Sequence, residues 1–223
     1  MVQLYCLSEW CFMNPMSPAV RRYLQSCRSN SVPGMRAYLT TIHCDPHWAI
    51  HGLGPCVQAF SLEGAKLICE YKNKRDSSWN ESWGKAVEGA LVHLISKFPD
   101  HPTTIAFTHL LLETNPQTSL RAVAKKVEQS NCIPLLNAFL PYIKNNQKEL
   151  NTMFMDACFH AHVECVENLI PFVALEEIWE QTKRGLFGVS HEPIKELVEN
   201  YLLRNVLREN VSLHAESAPR RKI

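Results

Sequence analysis

The sequence predicts an all-α fold, on three observations. Apolar residues in the second half recur at three- and four-residue steps, the spacing of one helix face. Glycine is scarce, with 8 residues in 223, and β-branched runs are short, while Leu, Ala, Glu, Lys and Asn dominate the second half. Two segments also superimpose on a shift of thirty residues: Ile133-Pro-Leu-Leu-Asn-Ala-Phe-Leu-Pro-Tyr-Ile143 and Val163-Glu-Cys-Val-Glu-Asn-Leu-Ile-Pro-Phe-Val173. Such a period implies units whose apolar faces are buried only against neighbouring copies, hence stacked α-hairpins.

The elements follow in order. Residues 1 to about 80 are interrupted by Pro15, Pro18, Pro33, Pro46 and Pro55, which leaves short helical candidates near 17–29, 34–42 and 57–71. The polar stretch 72–80 reads as a connection. From Ser82 to Phe98 the residues Trp83, Val87, Ala90, Leu91, Leu94, Ile95 and Phe98 share a face, and Pro99 and Pro102 stop that helix. A second helix, about 103–114, carries Ile105, Phe107, Leu110, Leu111 and Leu112 and ends at Asn115-Pro116. Ser119 is placed to cap a third, about 120–130, with Leu120, Val123, Ala124 and Val127 inward. The thirty-residue repeat comes next, with a weaker copy at Val198-Glu199-Asn200-Tyr201-Leu202. The predicted domains are a Pro-interrupted helical subdomain at 1–80, a helical repeat domain at 81–210 and a basic tail at 211–223 containing Arg220, Arg221 and Lys222.

Composition narrows the functional classes. Lysine and arginine total 23 against 22 aspartate and glutamate, so no net field draws the chain to nucleic acid or an anionic membrane. No run approaches the roughly 20 apolar residues of a membrane span. Ser8, Glu9 and Asn14 interrupt the basic-then-apolar order of a signal peptide. Nine scattered cysteines, an odd number in a chain large enough to bury a core without staples, read mostly as buried free thiols. The expectation is an intracellular, cytoplasmic protein in a reducing compartment. The eight glycines form no phosphate-binding loop, and Gly52-Leu53-Gly54-Pro55 reads as a tight turn.

The stretch Ala157-Cys158-Phe159-His160-Ala161-His162-Val163-Glu164-Cys165-Val166-Glu167-Asn168-Leu169-Ile170 resembles the ankyrin repeat, whose second half reads Ala-Ala-x-x-Gly-His-Leu-Glu-x-Val-x-x-Leu-Leu. The resemblance is clearest over 150–173 and echoes at 120–143 and 190–207. It implies an ankyrin-like solenoid, a structural turn histidine at His162, and close helix approach at Ala157 and Cys158. Ala161 stands where the family prefers glycine, and is expected there only if the local φ is not strongly positive. No Thr-Pro-Leu-His motif opens any unit.

What the resemblance implies about function is protein binding, as adaptor or inhibitor, through the concave face and the connections between units. Degenerate units of this kind are common in host-directed effectors of bacteria and viruses. On this chain the connections are Lys144 to Asn151, with Lys144, Asn146 and Lys148, and the longer 174–190, with Trp179, Lys183, Arg184, Leu186 and Phe187. His160, at the end of a first helix, lies near that face. For Trp179, Leu186 and Phe187 the competing role is to cap the core.

Two clusters invite chemical readings. Within His43-Cys44-Asp45-Pro46-His47-Trp48-Ala49-Ile50-His51 and Cys56, the four residues Cys44, His47, His51 and Cys56 supply a tetrahedral zinc set, with His47 and His51 on one face if that segment is helical. The same cluster supports a Cys/His-dependent enzyme with Cys44 or Cys56 as nucleophile and His43, His47 or His51 as base. Cys158, His160, His162 and Cys165 form the second cluster, in which the repeat match already gives His162 and Cys165 turn and core roles. Protein binding without catalysis, nucleic acid or a small-molecule cofactor is the primary expectation; the enzyme and a zinc-stabilised binding module stand beside it.

Overall fold

The computed structural model describes residues 16–41, 44, 46–73, 80–116 and 118–217, and among these the regular elements are all helical. Among the described residues thirteen α-helices run in order: α1 Pro18–Arg28, α2 Val32–Leu39, α3 Pro46–His51, α4 Leu53–Gln58, α5 Leu62–Asn73, α6 Asn80–Lys97, α7 Pro102–Thr114, α8 Arg121–Ser130, α9 Ile133–Ile143, α10 Gln147–Phe159, α11 Val163–Leu169, α12 Leu175–Thr182 and α13 Glu192–Ser217. Short 3-10 turns occur at Ile170–Phe172, Lys183–Gly185 and Val189–His191. No helix among the described residues is long and apolar enough to cross a membrane. The chain groups into two compact units, dividing between Lys126 and Val127 inside α8.

The hairpin is the recurring local structure, and its turn has a specific chemistry. Asn30, Phe60, Asn131 and Ala161 have φ of 55°, 51°, 49° and 59°, the left-handed region. A left-handed residue just past a helix lets the next amide reach back to the last turn. Thus Ser31 N–H donates to Ser26 O at 2.8 Å, Ser61 N–H to Cys56 O at 2.8 Å, and His162 N–H to Ala157 O at 2.9 Å. Each turn reverses the chain within two or three residues and starts the following helix. Asn30 and Phe60 lie thirty residues apart, as do Asn131 and Ala161.

In the first unit α1–α2, α4–α5 and α6–α7 are hairpins. The first helices pack in the order α1, α4, α6, and the second helices in the order α2, α5, α7, with α3 against α4, α5 and α6. Tyr23, Met35, Leu53, Ile68, Leu91, Leu94, Ile95, Phe107 and Leu111 fill the interior. Each such side chain contributes about 1.5–3 kcal/mol by leaving water. Tyr23 stacks on Tyr38 at 4.5 Å and donates its hydroxyl to Ala49 O at 2.9 Å, which anchors α3. Adjacent turns are joined where Ser61 Oγ donates to Asn30 Oδ1.

In the second unit α9 packs on α10 and α11, α10 on α11 and α12, and α11 on α13. Leu135, Leu136, Phe139, Leu150, Phe154, Val166, Leu169, Ile194 and Val198 are buried between them. The adjacent turns are again joined, here by Cys165 Sγ donating to Asn131 Oδ1 at 3.2 Å.

Several expectations change. Residues 18–73 are better organised than their prolines suggest: Pro18 and Pro33 sit in the first turn of α1 and α2, where a missing N–H costs nothing. The helix expected over 57–71 is two helices parted by the left-handed turn at Phe60. The connection expected over 174–190 contains helix α12, whose Leu175, Ile178 and Trp179 face inward. Ala161 adopts the positive φ that its side chain disfavours.

Candidate binding face and metal-ligating cluster

Helix α10 ends at Phe159, His160 follows with φ −85° and ψ 0°, and the left-handed Ala161 turns the chain so that His162 opens α11. This corner sets the two imidazoles side by side, ring centroids 5.5 Å apart. Both aim Nδ1 at one atom, Oε1 of Glu128, at 3.0 Å each. Glu128 lies in the last turn of α8 with its side chain 1% exposed, while the side chains of His160 and His162 are 49% and 21% exposed. Its other oxygen, Oε2, is buried and has no hydrogen-bond partner. A buried carboxylate is costly unless a positive charge or a full set of donors compensates it. The corner is therefore built to receive either N–H groups or a cation.

This is the only group of three or more metal-ligating side chains drawn together among the described residues. His160 and His162 of the second sequence cluster do converge, but on Glu128 and not on Cys158 or Cys165. Both thiols are buried. Burial pushes Cys158 up to about 12; burial, then the charge of Glu128, pushes Cys165 up to about 11. They stay protonated and behave as core residues. Glu128 was missed although a signal existed: it lies four residues beyond the inward-facing Ala124, a charged residue at an apolar register.

The neighbouring segment carries two strongly exposed apolar side chains. Lys183 pairs with Glu180 Oε1, Arg184 is exposed, and Phe187 and Val189 are 77% and 87% exposed. Trp179 and Leu186 are buried, so they fill the core and the exposed aromatic of this segment is Phe187. Phe159 covers Gly185, where a Cβ would fall 2.4 Å from its ring. His191 places Nδ1 2.7 Å from Phe187 O and Nε2 3.3 Å from Phe159 O. These contacts hold the 185–191 loop against the corner that carries His160.

Of the other expected binding residues, Lys144 is exposed and lines a groove of about 640 Å³ with Asn137, Pro141, Asn168, Pro171 and Phe172. Lys148 is exposed on the first turn of α10. Asn146 caps that helix, its Oδ1 accepting from Glu149 N–H at 3.3 Å, so its side chain serves the fold.

The cluster at 43–56 is arranged otherwise. His43 and Asp45 lie outside the described residues. Segment 46–51 is helical, as the shared face of His47 and His51 required; their rings are 4.5 Å apart with Nε2 atoms at 3.0 Å. Cys44 is buried, and Cys56 is fully buried beside the thiol of Cys27. The neighbouring thiol, then burial, raises Cys56 far above the usual thiol range, while the same neighbour lowers Cys27. A protonated thiol inside the core has neither the charge nor the access of a nucleophile.

No family model, curated protein or solved structure matches the chain.

Proposed function

We propose that the chain is a helical-hairpin repeat protein of the ankyrin-like kind that binds another protein. The observation carrying this reading is the left-handed turn recurring at thirty-residue intervals in each unit, with first helices packing on first helices and second on second in the first unit. Repeats of that kind present a rigid row of connections, and the side chains on the connections select the partner. In the second unit the surface combines exposed Phe187, Val189, Arg184 and His160 with the half-buried Lys183, an apolar and basic mixture suited to an interface centre.

The test is capture by the immobilised, reduced full chain, comparing the parent with Lys183→Glu/Arg184→Glu and with Phe187→Ala. Removing an interface aromatic of this kind is expected to cost about 2 kcal/mol, roughly thirtyfold in Kd. Both variants should lose the captured protein while keeping the parent's helical circular dichroism. Undiminished capture by both would place the interface elsewhere.

A further inference from the structure

We propose that Glu128, His160 and His162 form a divalent transition-metal site, of the zinc or ferrous class, joining two successive hairpin turns. Three observations meet in it. The first is the donor set: one carboxylate and two imidazoles is a recurrent ligand combination for these ions, and one that alkaline-earth cations, which favour oxygen, do not share.

The second is spacing. Bonds of about 2.0–2.2 Å to one ion place neighbouring donors roughly 3 Å apart. Both Nδ1 atoms lie 3.0 Å from Glu128 Oε1, and the three donor atoms fall within 4.8 Å of one another. An ion is thus admitted with small side-chain rotations and no rebuilding of the backbone.

The third is the orphaned oxygen. Glu128 Oε2 is buried and unpaired beside the two rings, so hydrogen bonding from the histidines leaves half the carboxylate unsatisfied. A cation held against the carboxylate compensates both oxygens at once. Binding needs no net loss of protons from neutral rings. Each Nδ1 gives its lone pair to the metal and the ring proton resides on Nε2, so no redox step is involved. His160 is exposed, which leaves the remaining coordination positions facing water.

The experiment titrates cobalt(II), then zinc(II), into reduced full-length protein freed of metal. Cobalt separates this site from the cysteines, because thiolate ligation adds a near-ultraviolet charge-transfer band that carboxylate and imidazole ligands lack. Expected are one equivalent per chain, visible d–d absorption without the thiolate band, and a zinc-induced rise in Tm. His160→Ala, a surface change that leaves the core intact, should weaken binding by more than the roughly 10–100-fold that loss of an outer-shell partner costs. Glu128→Gln should do the same, and Cys44→Ser/His47→Ala should bind as the parent does. Nitrogen-15 spectra of the histidines should show metal on Nδ1 of His160 and His162 with Nε2 protonated. Absence of stoichiometric binding, a thiolate band, or retention of the metal by His160→Ala would each overturn the assignment.

Discussion

Ala161 shows how one residue's backbone sets the chemistry around it. Its φ of 59° brings His160 and His162 onto Glu128, yet that conformation costs an L-residue about 1–2 kcal/mol. Ala161→Gly is expected to raise stability by about 1 kcal/mol, after allowing for glycine's extra chain entropy, in urea unfolding followed by circular dichroism. Phe60 carries the same cost at φ 51° and recovers part of it by packing its ring 4.9 Å from Phe98 and 4.6 Å from His101. The thiols set a pH limit on the second unit. Cys165 and Cys158 titrate at about 11 and about 12 when folded, against 9.0 ordinarily, so the folded state holds more protons across that interval. Their contribution is complete below about pH 9 and is lost as pH rises through 11 and 12. The urea midpoint should therefore fall between about pH 8 and pH 10.5, and fall less in Cys165→Ala; equal falls in the two proteins would remove Cys165 as the cause.

At the scale of the element, the hairpins depend on how closely their helices approach. A Cβ at Gly64 would stand 2.5 Å from Ser61 Oγ, 2.8 Å from Met35 Cε and 3.0 Å from Cys56 Sγ, while one at Gly54 meets nothing within 4 Å. Both glycines are helical, so alanine offers each about 1 kcal/mol of propensity. Overpacking costs about 1–3 kcal/mol and should prevail at Gly64. Gly64→Ala is expected to destabilise the protein and Gly54→Ala to stabilise it by about 0.5–1 kcal/mol, a contrast in sign that parallel denaturation curves would reveal. Helix α12 was legible in principle, since Leu175, Ile178 and Trp179 follow the helical spacing. A thirty-residue period places that stretch between units, where a connection is expected.

At the scale of the whole molecule, each unit is a row of hairpins in which the middle one has neighbours on both sides. In the first unit α4 and α5 are flanked by α1–α2 and α6–α7; in the second, α10 and α11 are flanked by α9 and by α12 and α13. Hydrogen exchange should thus be slowest in α4–α5 and α10–α11. It should be fastest in the part of α13 around Leu203, Val206 and Leu207, which are exposed although Ile194 and Val198 on the same helix are buried. Uniform protection along α13 would mean that this exposed stretch is covered in solution. The repeat of the first unit was also present to be read: Asn30-Ser31-Val32-Pro33-Gly34 and Phe60-Ser61-Leu62-Glu63-Gly64 correspond at a shift of thirty. The substitution of phenylalanine for asparagine at the turn disguises it, because a bulky residue is not expected at positive φ.

Periodicity and proline placement act locally, so the helical class, most of the helix limits from Ser82 to Ile143 and the burial of the seven cysteines among the described residues were legible in the sequence. It also brought His160 and His162 to notice, two residues apart in a turn. What they face is set by packing between distant residues. Glu128 stands 32 and 34 residues away, and the stacking of one hairpin turn on the next brings its carboxylate to both rings. Packing of the same kind buries Trp179, Cys27 and Cys56 and leaves Phe187 exposed. Which of two chemically similar side chains faces water depends on how helix faces meet, and that is set by contacts between residues far apart in the chain.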